Sequence, residues 1–268
     1  MTKRHPIAVA GIQARMSSSR LPGKSLADLD GKPLIQRVWE RVRLAARVDP
    51  VVVLTSSEPS DDELAAYCEE HGCLVRRGPL DDVMARYLAL LEEFPRRWFV
   101  RVTGDCPFVD PRFIDLQLEG LEAHDGDWTL PADSAPAAAL AGQGALSARA
   151  LWQASASTDA RDREHVGSFW LAENRAQLRA VELELDPLYL GDGPRLAVDE
   201  PADLELARRI YAALSPGWDS AIPLDDVLRW LEDTGASAHN AQVVESADNR
   251  AAQALRAARP PRIVGRHP

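Results

Sequence analysis

Short apolar, β-branched runs alternating with stretches of helical periodicity constrain this chain more than any other feature. Residues 7–12 (IAVAGI), 51–54 (VVVL), 73–75 (CLV) and 98–102 (WFVRV) read as strands. Between them, residues 33–46 place Leu34, Val38, Val42 and Ala45 at helical spacing, with Pro33 suited to a first turn. Residues 61–71 form a second helix, with Ser60 as its N-cap and Gly72 as its stop, and residues 81–94 form a third. Strands that lack polar alternation are buried on both faces, which requires helices on both sides and parallel pairing through crossovers. The expected class is therefore α/β, a mostly parallel central sheet flanked by helices. Ligands in such sheets sit beyond the carboxyl ends of the strands.

Those ends carry the polar signals. After the first strand, residues 13–26 (QARMSSSRLPGKSL) bring Arg15, three serines, Arg20, Gly23 and Lys24 into one turn-rich loop. Cations, small hydroxyls and a glycine suit a multiply charged anion, because backbone N–H groups approach closely only where side chains are small. A nucleoside triphosphate fits this description. Thr55, Gly78, Gly104 and Asp105 close the next three strands, and this convergence outweighs the reading of the loop as an ordinary solvated basic surface. Residues 18–25 (SSRLPGKS) differ by one residue from a P-loop, but Ser18 replaces its first glycine. Asp28, Asp30, Gly31 and Pro33 then mark a turn where a P-loop would begin a helix. That reading is the weaker one.

Composition narrows the classes further. At 268 residues the chain can bury a sizeable core. Thirty-one basic against forty-one acidic side chains, net −10, disfavour a general nucleic-acid surface while leaving room for a basic pocket. Cys68, Cys73 and Cys106 have no zinc spacing and read as reduced thiols. With no signal-peptide pattern and no membrane-length apolar run, a cytoplasmic protein without a membrane partner is expected.

The loop at 13–26 resembles the signature of cytidylyltransferases that make CMP-linked sugar acids, in particular the spore coat polysaccharide biosynthesis protein F branch, related to CMP-Kdo synthetase. Further stretches carry the resemblance: 76–87 (RRGPLDDVMARY), 101–111 (RVTGDCPFVDP, with a Gly-Asp-x-Pro metal motif), 161–174 (RDREHVGSFWLAEN) and 195–207 (RLAVDEPADLELA). The resemblance implies a Rossmann-like nucleotidyltransferase fold of the nucleotide-diphospho-sugar transferase type. It implies one domain over residues 1–258: a nucleotide half over about 1–126, an acceptor and dimerisation region over about 127–190, and a metal-ligand return with C-terminal helices beyond. Residues 259–268 would be a disordered tail.

The same resemblance assigns roles. Gln13, Ala14, Arg15, Ser17, Arg20, Gly23, Lys24, Thr55, Gly78, Arg86 and Gly104 would bind the nucleotide, with Arg15, Lys24 and Asp105 catalytic. Asp105 and Asp199 would hold Mg²⁺, and His165 and Gln143 would face the acceptor. The partners implied are CTP and a small acidic acceptor, with a possible homodimer. Blander readings stand beside these: Asp199 as the N-cap of the helix at 201–214, Arg86 in a surface ion pair, and His165 as a structural residue. Asp203 would support the N-terminus of that helix.

Ser147 should open a helix, 161–174 should be one helical segment, 179–185 and 195–198 strands, and 223–231 a short helix. Residues 127–146 lose periodicity. Where the family has a strand with acidic positions, residues 140–146 read LAGQGAL, with Gly142 and Gly144 in their place. The acceptor therefore stays open between a sugar acid and a small phosphonate activated as its CMP ester. A non-catalytic subunit that binds nucleotide is the alternative of a different class.

Overall fold

The four runs read as strands pair side by side in the computed structural model, which describes residues 5–131, 140–185, 195–217 and 221–236. β1 (Ala8–Gln13), β2 (Val48–Ser56), β3 (Leu74–Gly78) and β4 (Trp98–Thr103) run parallel, with β1 between β2 and β4. Helices α1 (Leu34–Val42), α2 (Asp62–Glu70) and α3 (Val83–Glu93) connect them. The sheet has seven strands in the order β3-β2-β1-β4-β6-β5-β7. β6 (Gln143–Ser147) lies antiparallel to β4, and β5 (Trp128–Pro131) pairs with β6 and, in parallel, with β7 (Ala180–Leu183). Register aligns the carboxyl ends: Gln13 faces Leu54 and Thr103, and Ser56 faces Gly78.

Alternation along each strand sends side chains to two cores. Ala8, Ala10, Ile12, Val53, Val100 and Val102 pack against α1, against α4 (Pro111–His124), and against α8 (Pro201–Leu214) with α9 (Leu224–Thr234). Val9, Val52, Leu54 and Phe99 face α3 and α5 (Ala148–Ala154). The second face also carries Gly11, Gln13, Arg101 and Thr103.

Several local expectations are corrected. Residues 161–174 form two helices, α6 (Ala160–His165) and α7 (Ser168–Glu173), because Val166 and Gly167 both take positive φ, 55° and 73°. The N-cap of α2 is Asp61, not Ser60, after a single 3₁₀ turn. Residues 195–198 join no strand ladder; one bond, from Val198 N–H to Asp105 O at 2.7 Å, ties them to the end of β4. Helix α4 and strand β5 are additions that the sequence reading lacked. Ser147 does open a helix, its Oγ accepting from Ala150 N–H. The tail at 259–268 lies outside the described residues. No helix among those described is long and apolar enough to cross a membrane.

Candidate active site

The basic loop is a closed structure rather than a loose surface turn. Gly23 N–H donates to Met16 O at 2.9 Å, which needs the left-handed conformation Gly23 adopts, and Ser25 Oγ donates to Arg15 O at 3.0 Å. Only one 3₁₀ turn, Lys24–Leu26, follows before the Asp28 to Pro33 bridge, so no helix N-terminus faces the loop and the P-loop reading falls. The far side is pinned by Asp61, which is fully buried. One of its oxygens accepts from Met16 N–H at 2.7 Å, and the other accepts from Ser56 N–H at 3.1 Å and from Ser56 Oγ.

The loop delivers Lys24 to two carboxylates distant in sequence. Lys24 Nζ donates to Asp105 Oδ2 at 2.9 Å, to Asp199 Oδ1 at 2.9 Å and to Val198 O at 2.7 Å, which uses all three of its protons. Gly104 makes this approach possible: its N–H donates to Gln13 O at 2.8 Å, and a Cβ there would sit 2.9 Å from Ala14 Cβ. Burial opposes the charge on both groups, yet their mutual attraction wins, holding the Asp105 carboxyl below its usual range and the Lys24 ammonium above its own. Arg20 lies 3.1 Å from the second oxygen of Asp199, which also accepts from Arg195.

Asp199 is not the helix cap. Glu200 is the N-cap of α8, and Asp203 Oδ2 accepts from the Asp199 and Glu200 amides at 2.9 and 3.0 Å and from Arg195 at 2.8 Å. Asp203 thus takes the structural role expected of it, and Asp199 is left to face Lys24.

Other named residues are placed as follows. Arg15 reaches outward, 3.6 Å from Glu164 on α6, both exposed. Arg86 is no surface ion pair: it is buried, lies against Gly78, and donates from NH1 to Leu54 O at 2.9 Å. Its Nε and the Oγ1 of buried Thr55 have no partner among the described residues. Ser17 is exposed on the loop. His165 ends α6 with its ring edge-on to Phe169. Gln143 is buried in β6, where its Oε1 accepts from Asp110 N–H at 3.0 Å, a structural tie on the face opposite α6. Sequence reasoning missed Asp61, Arg195 and Arg101, whose partners are set by the fold rather than by any local pattern.

Asp105 and Asp199 converge on one point, now held by the Lys24 ammonium. Two hard carboxylates suit a cation such as Mg²⁺, which takes few protein ligands and completes its shell with phosphate oxygens and water. Among the described residues, no group of three or more His, Cys, Asp or Glu side chains is arranged to hold a metal on its own.

Residues 9–178 match a family model described as cytidylyltransferase. The chain belongs to the cytidylyltransferase family. The matched span ends before Val198 and Asp199, to which Lys24 donates, and before Arg195, Glu200 and Asp203, which lie around Asp199. The cytidylyltransferase chain is 32% identical over 206 residues to the spore coat polysaccharide biosynthesis protein SpsF of Bacillus subtilis, covering 75% of this chain and 84% of that one. It is also 32% identical over 250 residues to the 3-deoxy-manno-octulosonate cytidylyltransferase of Parvibaculum lavamentivorans, covering 79% and 94%. Its fold matches that of a cytidylyltransferase from Leptospira borgpetersenii with a TM-score of 0.79 at 23% identity, over 90% of this chain and all of that one.

Proposed function

We propose that this cytidylyltransferase transfers CMP from CTP to a small acidic acceptor of the sugar-acid class and releases pyrophosphate. The observation that carries the reading is the meeting of Lys24, Asp105 and Asp199 beyond the ends of β1 and β4, beside a loop with two further arginines. Such a transfer demands positioning and charge neutralisation more than covalent catalysis. A relative named for 3-deoxy-manno-octulosonate supports the acceptor class.

In this reading Arg15, Arg20 and Lys24 bind the triphosphate and offset the charge on departing pyrophosphate. Loop N–H groups near Ser17 approach the phosphates while Gly23 holds the turn, and Thr55, Gly78 and Arg86 border the nucleoside. Asp105 and Asp199 would hold Mg²⁺, which supplies Lewis-acid charge neutralisation when bound. The acceptor oxygen bonds to the α-phosphorus as the bond to the β-phosphate oxygen breaks. The nucleotide half spans about 1–126, and the acceptor region, with His165, about 127–190.

The test is a pyrophosphate-release screen with Mg²⁺, crossing the four nucleoside triphosphates with sugar acids, neutral sugars, sugar phosphates and phosphonates. Release from CTP with a sugar acid is expected. Release with phosphonates alone moves the acceptor class, release from another nucleotide removes the cytidine assignment, and CTP binding without release leaves a non-catalytic subunit.

A further inference from the structure

Arg101 is a cation inside a sheet that spends one of its five N–H donors on the described residues. It lies in β4 on the face that carries Phe99, and its neighbours across the two adjoining ladders are both glycines, Gly11 on β1 and Gly144 on β6. On the Gly11 side the missing side chain makes room for Tyr87: a Cβ there would sit 2.5 Å from the ring, and the Tyr87 hydroxyl donates to Gly11 O at 2.8 Å. On the Gly144 side nothing among the described residues lies within 4 Å of where a Cβ would be. Among the described residues, the guanidinium therefore has a filled wall on one side and open space on the other.

Its bonding is equally one-sided. Arg101 Nε donates to Gln13 Oε1 at 2.9 Å, and among the described residues it makes no other hydrogen bond and no ion pair. Buried Arg41 is closed on by three carbonyls, Val109 O, Ile222 O and Phe108 O, whereas buried Arg86 donates to one, Leu54 O. Burial works against the charge of Arg101, and the carboxylates that favour it are Asp105 and Glu164, neither in contact with it. A partly desolvated guanidinium with its terminal nitrogens free presents a planar fork matched to a carboxylate.

We propose that Arg101, steadied by Gln13, binds the acidic group of the acceptor in the space over Gly144. This rests on the transfer reaction proposed above and names the group that makes an acceptor recognisable. The site is four residues before Asp105 and on the β6 side of β4, whereas the cations suited to the triphosphate stand on the loop after β1. An acid held at Arg101 leaves the rest of the acceptor to extend toward Asp105 and Lys24.

Kinetics of Arg101→Met, Arg101→Lys and Gly144→Glu, with the best acid acceptor and with its uncharged amide, test this. Arg101→Met should lower kcat/KM for the acid by about a hundredfold and abolish the preference for acid over amide, while KM for CTP stays within about twofold. Arg101→Lys should restore part of the preference. Gly144→Glu removes no contact but places a carboxylate over the fork, and should compete with the acid without lowering Tm. An unchanged acid preference in Arg101→Met overturns the proposal, and so does a raised KM for CTP with acceptor KM unaltered, which would give Arg101 to the nucleotide. Should the wild type release no pyrophosphate from CTP, the transfer reading fails; calorimetric titration with 3-deoxy-manno-octulosonate then decides separately. Binding lost in Arg101→Met supports the anion seat, and absence of binding to the wild type overturns it.

Discussion

At the residue scale, Lys24 and its two carboxylates form a charge cluster that is costly to bury and tolerable only because each member pairs with another. Asp105→Asn keeps the shape and removes one charge. Turnover should fall by at least about a hundredfold while the variant still folds, and wild-type turnover in that variant would remove Asp105 from the chemistry. Asp61 tests a different contribution. Asp61→Asn replaces one accepting oxygen with an N–H donor, leaving either Met16 N–H or the Ser56 pair unmatched in a buried site. It should cost about 1–3 kcal/mol in urea unfolding and raise KM for CTP; lost stability with unchanged KM would show that the loop is positioned by other contacts. Lys24, Asp105 and Asp199 were legible because each stands in a short motif. Asp61 was not, because its partner Met16 lies 45 residues away and is a backbone amide. No side-chain pattern records such a bond.

At the element scale, β1 to β4 were readable because buried parallel strands are runs of apolar and β-branched residues. Helix α4 was readable too: Asp110 caps it, Pro111 begins it, and Phe113, Ile114, Leu118 and Leu121 recur at helical spacing. Its signal begins where the 101–111 motif ends. The break between α6 and α7 was not legible, since Val166 takes a left-handed conformation that β-branched residues disfavour and tertiary packing of this fully buried side chain imposes it. The entry to β6 makes the sharpest element-level prediction. Gly142 has φ 75°, and a Cβ there would sit 2.3 Å from Cys106 Sγ and 2.4 Å from Thr103 Oγ1. Gly142→Ala should destabilise by about 1–3 kcal/mol in chemical denaturation, and a neutral result would mean that the end of β4 yields to the intrusion.

At the scale of the whole molecule, a chain of net charge −10 gathers Arg15, Arg20 and Lys24 on one loop, so a local basic site stands on an acidic chain. The cluster there also gives stability a defined pH dependence. Burial and then Lys24 act on Asp105, leaving its carboxyl below the ordinary 3.8, so its contribution is complete above about pH 4 and lost as pH falls through the lower folded value. Lys24, raised above 10.5, contributes fully below that pH and loses its share only as pH climbs past its folded value. Denaturation midpoints of wild type and Asp105→Asn should therefore differ by a constant amount through the neutral range and converge in acid; a difference that instead grows in acid would contradict the pairing. The acceptor was the least legible part of the molecule, because residues 127–146, where the resemblance puts it, carry neither clear periodicity nor an intact motif. The central claim is transfer of a nucleotidyl group, and following CTP labelled at the α-phosphate tests it most directly. The label should appear in the acceptor with one pyrophosphate released per transfer and should stay in CTP with Lys24→Met; label remaining in the nucleotide while the γ-phosphate moves would contradict the account.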